Sequence, residues 1–173
     1  MNGRLPGSAV KADAFVDLGR VRRLDTLLEA LEAGMPDDAI VYVEGVAFTD
    51  DVRAALGALH PVPETQHRVD LRGTLWPSPS SFRLPVSAGV LAVLRELQKR
   101  HASPEVCSHL AVYRGEEILA LAHDAGDGAL LVGRSLPADA VEKMRQIVRE
   151  AEANRPQTPG LFERVRRLLR GER

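Results

Sequence analysis

A cysteine and two histidines lie close together in the middle of this chain: Cys107, His109 and His123, with Asp124 directly after the last of them. Thiolates and imidazoles are the ligands that zinc prefers, and a zinc site needs about four ligands converging on one point. A histidine beside a carboxylate is also the pair that general acid–base catalysis uses. Which chemistry is feasible depends on the strands that position these side chains.

The segment between residues 106 and 132 has the pattern of three short antiparallel strands, a meander. Tight turns at 113–116 and 124–128 separate its apolar runs, and Gly115 stands where a type II′ turn favours glycine. This turn pairs Arg114 with Glu117 and places Leu121 opposite an aliphatic residue on each neighbouring strand. The aliphatic face predicted from this register consists of Leu110, Val112, Leu119, Leu121, Leu130 and Val132. We expect that face to pack on helices, since a slip of one residue would expose it to water.

This register separates the possible metal ligands. Cys107 and His109 are predicted on the face opposite the aliphatic one, whereas His123 is predicted at the rim of the aliphatic face. We therefore expect no zinc site, and the sequence implies no cofactor. The 124–128 segment holds two aspartates, but an EF-hand calcium loop needs about twelve residues and a closing glutamate. Aspartate and glycine are also the residues that tight turns favour.

Three residues are candidates for acid–base catalysis: His123, Asp124 and Glu44. The first two adjoin each other at a predicted strand end. Glu44 follows the continuous apolar run 39–43, which predicts a strand buried on both faces. Ligands gather at the carboxyl ends of strands in open α/β sheets, so a carboxylate there is a reasonable site candidate. A solvated glutamate and a histidine beside a turn would give the same sequence pattern.

Helical periodicity and strand alternation outside the meander set the fold class. The helical segments are 20–33, 50–59, 88–101 and 137–153. Alternation at 68–75 predicts a half-exposed strand, and 82–84 predicts a brief one. We expect an α+β fold in one domain over residues 15–153, after a flexible N-terminus at 1–14. Its sheet should be mostly antiparallel, with five or six strands, and covered by helices.

The C-terminal segment predicts a linker at 154–160 and a short amphipathic helix at 161–170. Isolated helices below about 12–15 residues are marginal in water, so this one must dock to stay folded. The surface on which this helix docks could be the acidic body of the chain, a second copy of the chain or an anionic membrane. We expect it to dock on protein, either its own chain or a second copy. The residues predicted to contact the partner are Leu161, Phe162, Arg164, Val165, Arg167 and Leu168.

Charge is segregated along the chain, whose formal net charge is −1. Residues 1–23 carry five basic and two acidic side chains, and residues 154–173 carry six basic and two acidic ones. The segment between them therefore carries −8. Basic ends can bind nucleic acid or anionic lipid, or fold back onto the acidic body.

Composition describes an ordinary globular domain of 173 residues, 45% hydrophobic and 27% charged. The single cysteine excludes an internal disulfide and fits a reducing compartment. The N-terminus lacks the apolar run of a signal peptide, and no apolar stretch is long enough to span a bilayer. The expected location is the bacterial cytoplasm.

Motif searches argue mainly against enzymes. The sequence contains no phosphate-binding loop, dinucleotide fingerprint, nucleophile elbow or zinc-protease motif. At 4% aromatic, it is poorly equipped to stack nucleic-acid bases. The leading hypothesis is a non-enzymatic binding or regulatory module that acts through protein–protein contacts. The alternatives are a small hydrolase or transferase using His123, Asp124 or Glu44, and binding of nucleic acid or anionic membrane by the tail.

Overall fold

A computed structural model of the chain describes residues 12–45, 47–63, 80–125 and 127–154. A single 3₁₀ turn at Ala12–Ala14 precedes the first strand. The strands are β1 Phe15–Val21, β2 Ile40–Gly45, β3 Ser80–Pro85, β4 His109–Arg114, β5 Glu117–Ala122 and β6 Gly128–Gly133. The helices are α1 Leu24–Gly34, α2 Asp50–Gly57, α3 Ala88–Gln98, α4 Ser103–Val106 and α5 Ala138–Ala153.

The six strands form one antiparallel sheet in the order β1-β6-β5-β4-β2-β3. The predicted α+β class, the antiparallel sheet and the β4-β5-β6 meander are confirmed. Two elements were not predicted: α4, and β1, which pairs with β6 at the edge of the sheet. The strand predicted at 68–75 lies outside the described residues.

One face of the sheet, here called the first face, carries the main core. Helical periodicity explains this, because residues three and four apart share one side of a helix. In α1 those residues are Leu24, Leu27, Leu28 and Leu31, all buried. Every described helix contributes buried side chains to this one cluster, together with first-face residues such as Val43, Leu110 and Leu130. None of the described helices is long and apolar enough to cross a membrane.

The predicted register of the meander holds at the turn and is wrong from Val112 onward. Arg114 does pair with Glu117, but a β-bulge interrupts the pairing of β4 with β5 between Tyr113 and Val112. Tyr113 pairs with Ile118 and Val112 with Ala120, so Leu119 is the extra residue of β5. A bulge sets two residues against one and moves every later pair by one position.

The bulge moves Leu121 to the opposite side of the sheet, here called the second face. There Leu121 pairs with Ala111 on one neighbour and Leu131 on the other. A second buried cluster forms on this face from Tyr42, Ala111, Tyr113 and Leu121, with Phe15, Ile40, Ile118 and Leu131 partly buried around it. All eight side chains come from strands or strand ends, and no described helix contributes to the cluster.

Neighbouring residues of β6 provide a test of this face assignment. Leu130 is fully buried on the first face, whereas Leu131 is only partly buried on the second. We expect Leu130→Ala to lower the free energy of unfolding by about 2–5 kcal/mol, the usual cost of a cavity in a packed core. Leu131→Ala should cost less, because its side chain loses fewer contacts.

Urea denaturation of both variants measures the difference. An equal or larger cost for Leu131→Ala would show that the two faces have been assigned the wrong way round.

Candidate functional site

The bulge in β5 brings two histidines together at one end of the second face. His109 pairs with Glu44 across β2 and β4, and the register beyond Ala122 places His123 on the other side of His109. The two imidazole rings contact edge to face, with centroids 4.5 Å apart. The prediction that His123 lies on the face opposite His109 is therefore wrong, because it assumed an unbulged hairpin.

Glu44 is buried, with 4% of its surface exposed. Alternation along β2 places Tyr42 on the same face, and the Tyr42 hydroxyl donates a hydrogen bond of 2.7 Å to Glu44 Oε2. Burial and the adjacent Glu44 carboxylate raise the pKa of Tyr42 to about 12, so the phenol stays protonated and remains a donor. A solvated glutamate at a strand end is thus excluded for Glu44.

Arg83 extends the cluster onto β3, where it pairs with Tyr42. It is 6% exposed, and its guanidinium carbon lies 5.4 Å from the centroid of the Tyr42 ring, a cation–π contact. The second face therefore buries a cation and an anion around the same tyrosine. Arginine suits such a position because its planar guanidinium stacks on aromatic rings and is only weakly hydrated.

His109 is held in one orientation by the turn that follows β5. Its Nδ1 accepts a hydrogen bond of 3.2 Å from the backbone amide of Asp124, which places the proton of the neutral ring on Nε2. Burial lowers the pKa of His109, and the neighbouring His123 lowers it further, while Glu44 and Asp124 oppose the shift. At neutral pH His109 is a neutral side chain with a fixed tautomer.

The β5–β6 turn has a backbone that only certain residues allow. Asp124 has a φ of 51°, a left-handed conformation that aspartate tolerates better than most residues. A Cβ at Gly128 would lie 1.6 Å from the carbonyl oxygen of His123, so this close approach requires glycine. The turn chemistry seen in the sequence therefore serves to position His123 and the amide of Asp124.

The side chains of His123 and Asp124 are adjacent in sequence but do not contact each other through a hydrogen bond within the described residues. Both side chains are exposed. Asp124 instead contacts His109 through its backbone amide, which donates to Nδ1 of the imidazole. The sequence candidates Glu44 and His123 are brought into one row, but His109 lies between them.

Cys107 belongs to the core. It is 1% exposed within the first-face cluster, and its thiol donates to the carbonyl oxygen of His109 at 3.2 Å. Burial raises the pKa of the thiol to about 12, which suppresses the thiolate needed for nucleophilic attack or metal binding. In the part of the chain that the structure describes, no group of three His, Cys, Asp or Glu side chains could hold a metal ion.

The sequence did not identify three residues that surround Glu44 on the second face: Tyr42, Arg83 and His109. The sequence indicated His109 only as a candidate metal ligand. Tyr42 and Glu44 are two apart in a strand and so share a face, a signal that was present in the sequence. The position of His109 between Glu44 and His123 depends on strand order and on the bulge, which leave no local sequence signal. The partner-contact residues predicted in the tail, Leu161 to Leu168, lie outside the described residues and remain a prediction.

A cavity of about 400 Å³ lies elsewhere, where β1 meets α1 and the end of α5. Its three arginines are already paired: Arg20 with Asp127 at 2.7 Å, Arg22 with Glu152 at 3.2 Å and Arg23 with Asp25 at 3.0 Å. It is lined by Arg20, Val21, Arg22, Arg23, Thr26, Val148, Ala151, Glu152 and Asn154. The lining includes none of Glu44, His109 and His123, so this cavity does not connect Glu44 to His123.

The lowered pKa of His109 predicts a pH dependence of stability. Because the unfolded chain binds this proton more readily than the folded one, protonation favours unfolding. The contribution of neutral His109 to the stability of the fold is complete above the ordinary histidine pKa of about 6.5, and it is lost as the pH falls below that pKa. We expect the denaturation midpoint to fall more between about pH 7.5 and pH 5 for the wild type than for His109→Asn.

The control is His60→Asn at an exposed position, which should retain the wild-type dependence. Proton NMR titration of the His109 ring should give a midpoint below that of a free histidine. A midpoint at or above the free value would contradict the assignment of a buried neutral ring.

Comparison with known proteins assigns no family to the chain: no family model, curated protein or solved structure matches it. The function of the second face must be inferred from its own residues and geometry.

Proposed function

We propose that this chain is a protein-binding module whose contact surface is the second face of the sheet. One observation carries the proposal: a cluster of eight apolar or aromatic side chains occupies a sheet face to which no described helix contributes. An apolar sheet face must be buried against another element, and the described helices all pack on the first face.

The residue types of the second face fit a protein contact. Tyrosine, phenylalanine and arginine are enriched at the centres of protein interfaces, and Tyr42, Tyr113, Phe15 and Arg83 supply them here. The polar row of Glu44, His109 and His123 borders the apolar part at one end. An apolar centre with a polar margin is the usual anatomy of an interface.

The hydroxyl of Tyr113 adds a separate indication. Tyr113 is 4% exposed, and its Oη is buried without a hydrogen-bond partner among the described residues. Leaving a buried hydroxyl unsatisfied costs about 1–3 kcal/mol, so such groups are normally paired. A carbonyl or carboxylate of a bound chain would supply the missing acceptor.

The proposal is tested by substituting one partly buried side chain on the second face and one that packs against the first-face cluster. Leu131→Asn alters the second face, and Val93→Asn is the matched control, since Val93 is partly buried against the first-face cluster. We expect proteins that the wild type captures from its native host to be retained by Val93→Asn and depleted about tenfold by Leu131→Asn. Both variants must show the same circular dichroism as the wild type.

The comparison is made by quantitative mass spectrometry on the two variants and the wild type in parallel. Identical sets of captured proteins for Leu131→Asn and Val93→Asn would contradict the second face as the contact surface.

Acid–base catalysis is a second candidate function, favoured by the neutral, fixed tautomer of His109 beside the buried Glu44. The Nε2–H of His109 can donate a hydrogen bond to a reacting group, and the exposed imidazole of His123 beside it can accept a proton, as a small hydrolase or transferase requires. This candidate predicts that the chain hydrolyses a model ester and that His109→Asn lowers the rate about 100-fold. His60→Asn should leave the rate unchanged, and the absence of turnover across ester and phosphoester substrates would eliminate this candidate.

A further inference from the structure

The centre of the second face is more deeply buried than a bare sheet face allows. Ala111 is 0% exposed, Tyr113 4%, Tyr42 6% and Leu121 7%, although every described helix packs on the first face. Apolar sheet faces reach such burial only beneath another layer. We propose that the C-terminal segment 161–170 of this chain supplies that layer, and that it thereby competes with the protein partner for the second face.

The segment has the apolar stripe that such a layer needs. Leu161, Val165, Leu168 and Leu169 recur at intervals of four, three and one, which places them on one side of a helix, and Phe162 adjoins them. Ten residues are too few for a helix that is stable alone in water, so the stripe requires a surface. Among the described residues, the second-face cluster is the apolar surface to which no helix contributes.

The position of α5 brings the segment to the correct edge of the sheet. α5 ends at Ala153, and Glu152 in its last turn pairs with Arg22 at the end of the edge strand β1. The partner of β1 is β6, which carries Leu131 on the second face. Residues 155–160 can span about 20 Å when extended, whereas strands lie about 5 Å apart and stacked layers about 10 Å apart.

Charge complementarity favours the same docking. The segment 155–173 has six arginines and two glutamates, so it carries +4. Two exposed carboxylates lie at the margin of the second face: Asp17 opposite Leu131, and Asp124 beyond the end of β5. An amphipathic helix with arginines flanking its apolar stripe can place its stripe on the cluster while its guanidinium groups reach this margin.

Competition with the partner rests on the proposed function; the docking of the tail does not. If both bind the second face, release of the tail must precede or accompany binding of the partner. The apparent affinity for the partner is then reduced by the fraction of molecules in which the tail is docked. Substitutions that weaken the docking of segment 161–170 on the second face should therefore increase the apparent affinity for the partner.

Cysteine labelling of the full chain tests the docking. Leu121→Cys places a thiol at the centre of the second face, and the native Cys107 serves as an internal control because it is buried in the first-face core. We expect the introduced thiol to react slowly with a thiol reagent and at least ten times faster when Val165→Asn and Leu168→Asn are added. Cys107 should stay unreactive in both proteins, which shows that the domain remains folded.

The matched control adds Gln157→Asn and Thr158→Asn, two polar changes in the predicted linker that precedes the stripe. These should leave the labelling rate of the introduced thiol unchanged. An unchanged rate with the stripe variant, or a rate that increases on tenfold dilution of the protein, would overturn docking of the tail in cis; the second result would assign the cover to another copy.

Failure of this inference and failure of the proposed function give different results. Faster labelling without a partner that distinguishes Leu131→Asn from Val93→Asn supports the docked tail and contradicts the binding function. A partner lost with Leu131→Asn but unchanged labelling supports the function and contradicts the tail.

Discussion

A single extra residue in β5 determines which side chains meet on each side of this sheet. Because Leu119 has no partner in β4, every later residue of β5 changes face relative to an unbulged hairpin. Leu119 itself remains in the first-face core, while Leu121 joins Tyr42, Ala111 and Tyr113 on the second face. The same shift brings His123 against His109. The second hydrophobic cluster and the polar row beside it therefore have one common cause.

The polar row is stable because each buried group has a compensating neighbour. A buried carboxylate loses its hydration, and Glu44 regains a donor from the Tyr42 hydroxyl. The guanidinium of Arg83 contacts the face of the same ring, so one tyrosine serves both charges. His109 avoids the cost of burying a charge by remaining neutral, and the amide of Asp124 satisfies its Nδ1.

The sequence was sufficient for elements whose signal is local. The leucine spacing of α1 and α3, the glycine turn at 115–116 and the Arg114–Glu117 pair all follow from periodicity and turn chemistry. β1 escaped prediction because its burial does not alternate regularly: a register shift between Asp17 and Arg20 interrupts the pattern. The bulge could not be predicted for a different reason: its extra residue, Leu119, is a leucine like those at regular strand positions, so no residue type marks it. An error of one residue there was enough to put His123 on the wrong face and to hide the site.

The irregularity of β1 has a consequence for how the protein behaves at high concentration. Among the described strands, β1 and β3 are the edges of the sheet, and an edge with unpaired amides invites a strand of another molecule. Gly19, with a φ of 100°, and the shift between Asp17 and Arg20 bend β1 away from the flat geometry that an incoming strand needs. At the other edge, the carbonyl of Arg83 already accepts a bond from Val62, and Pro85 at the end of β3 has no amide hydrogen. These features disfavour the pairing of another strand with β1 or β3.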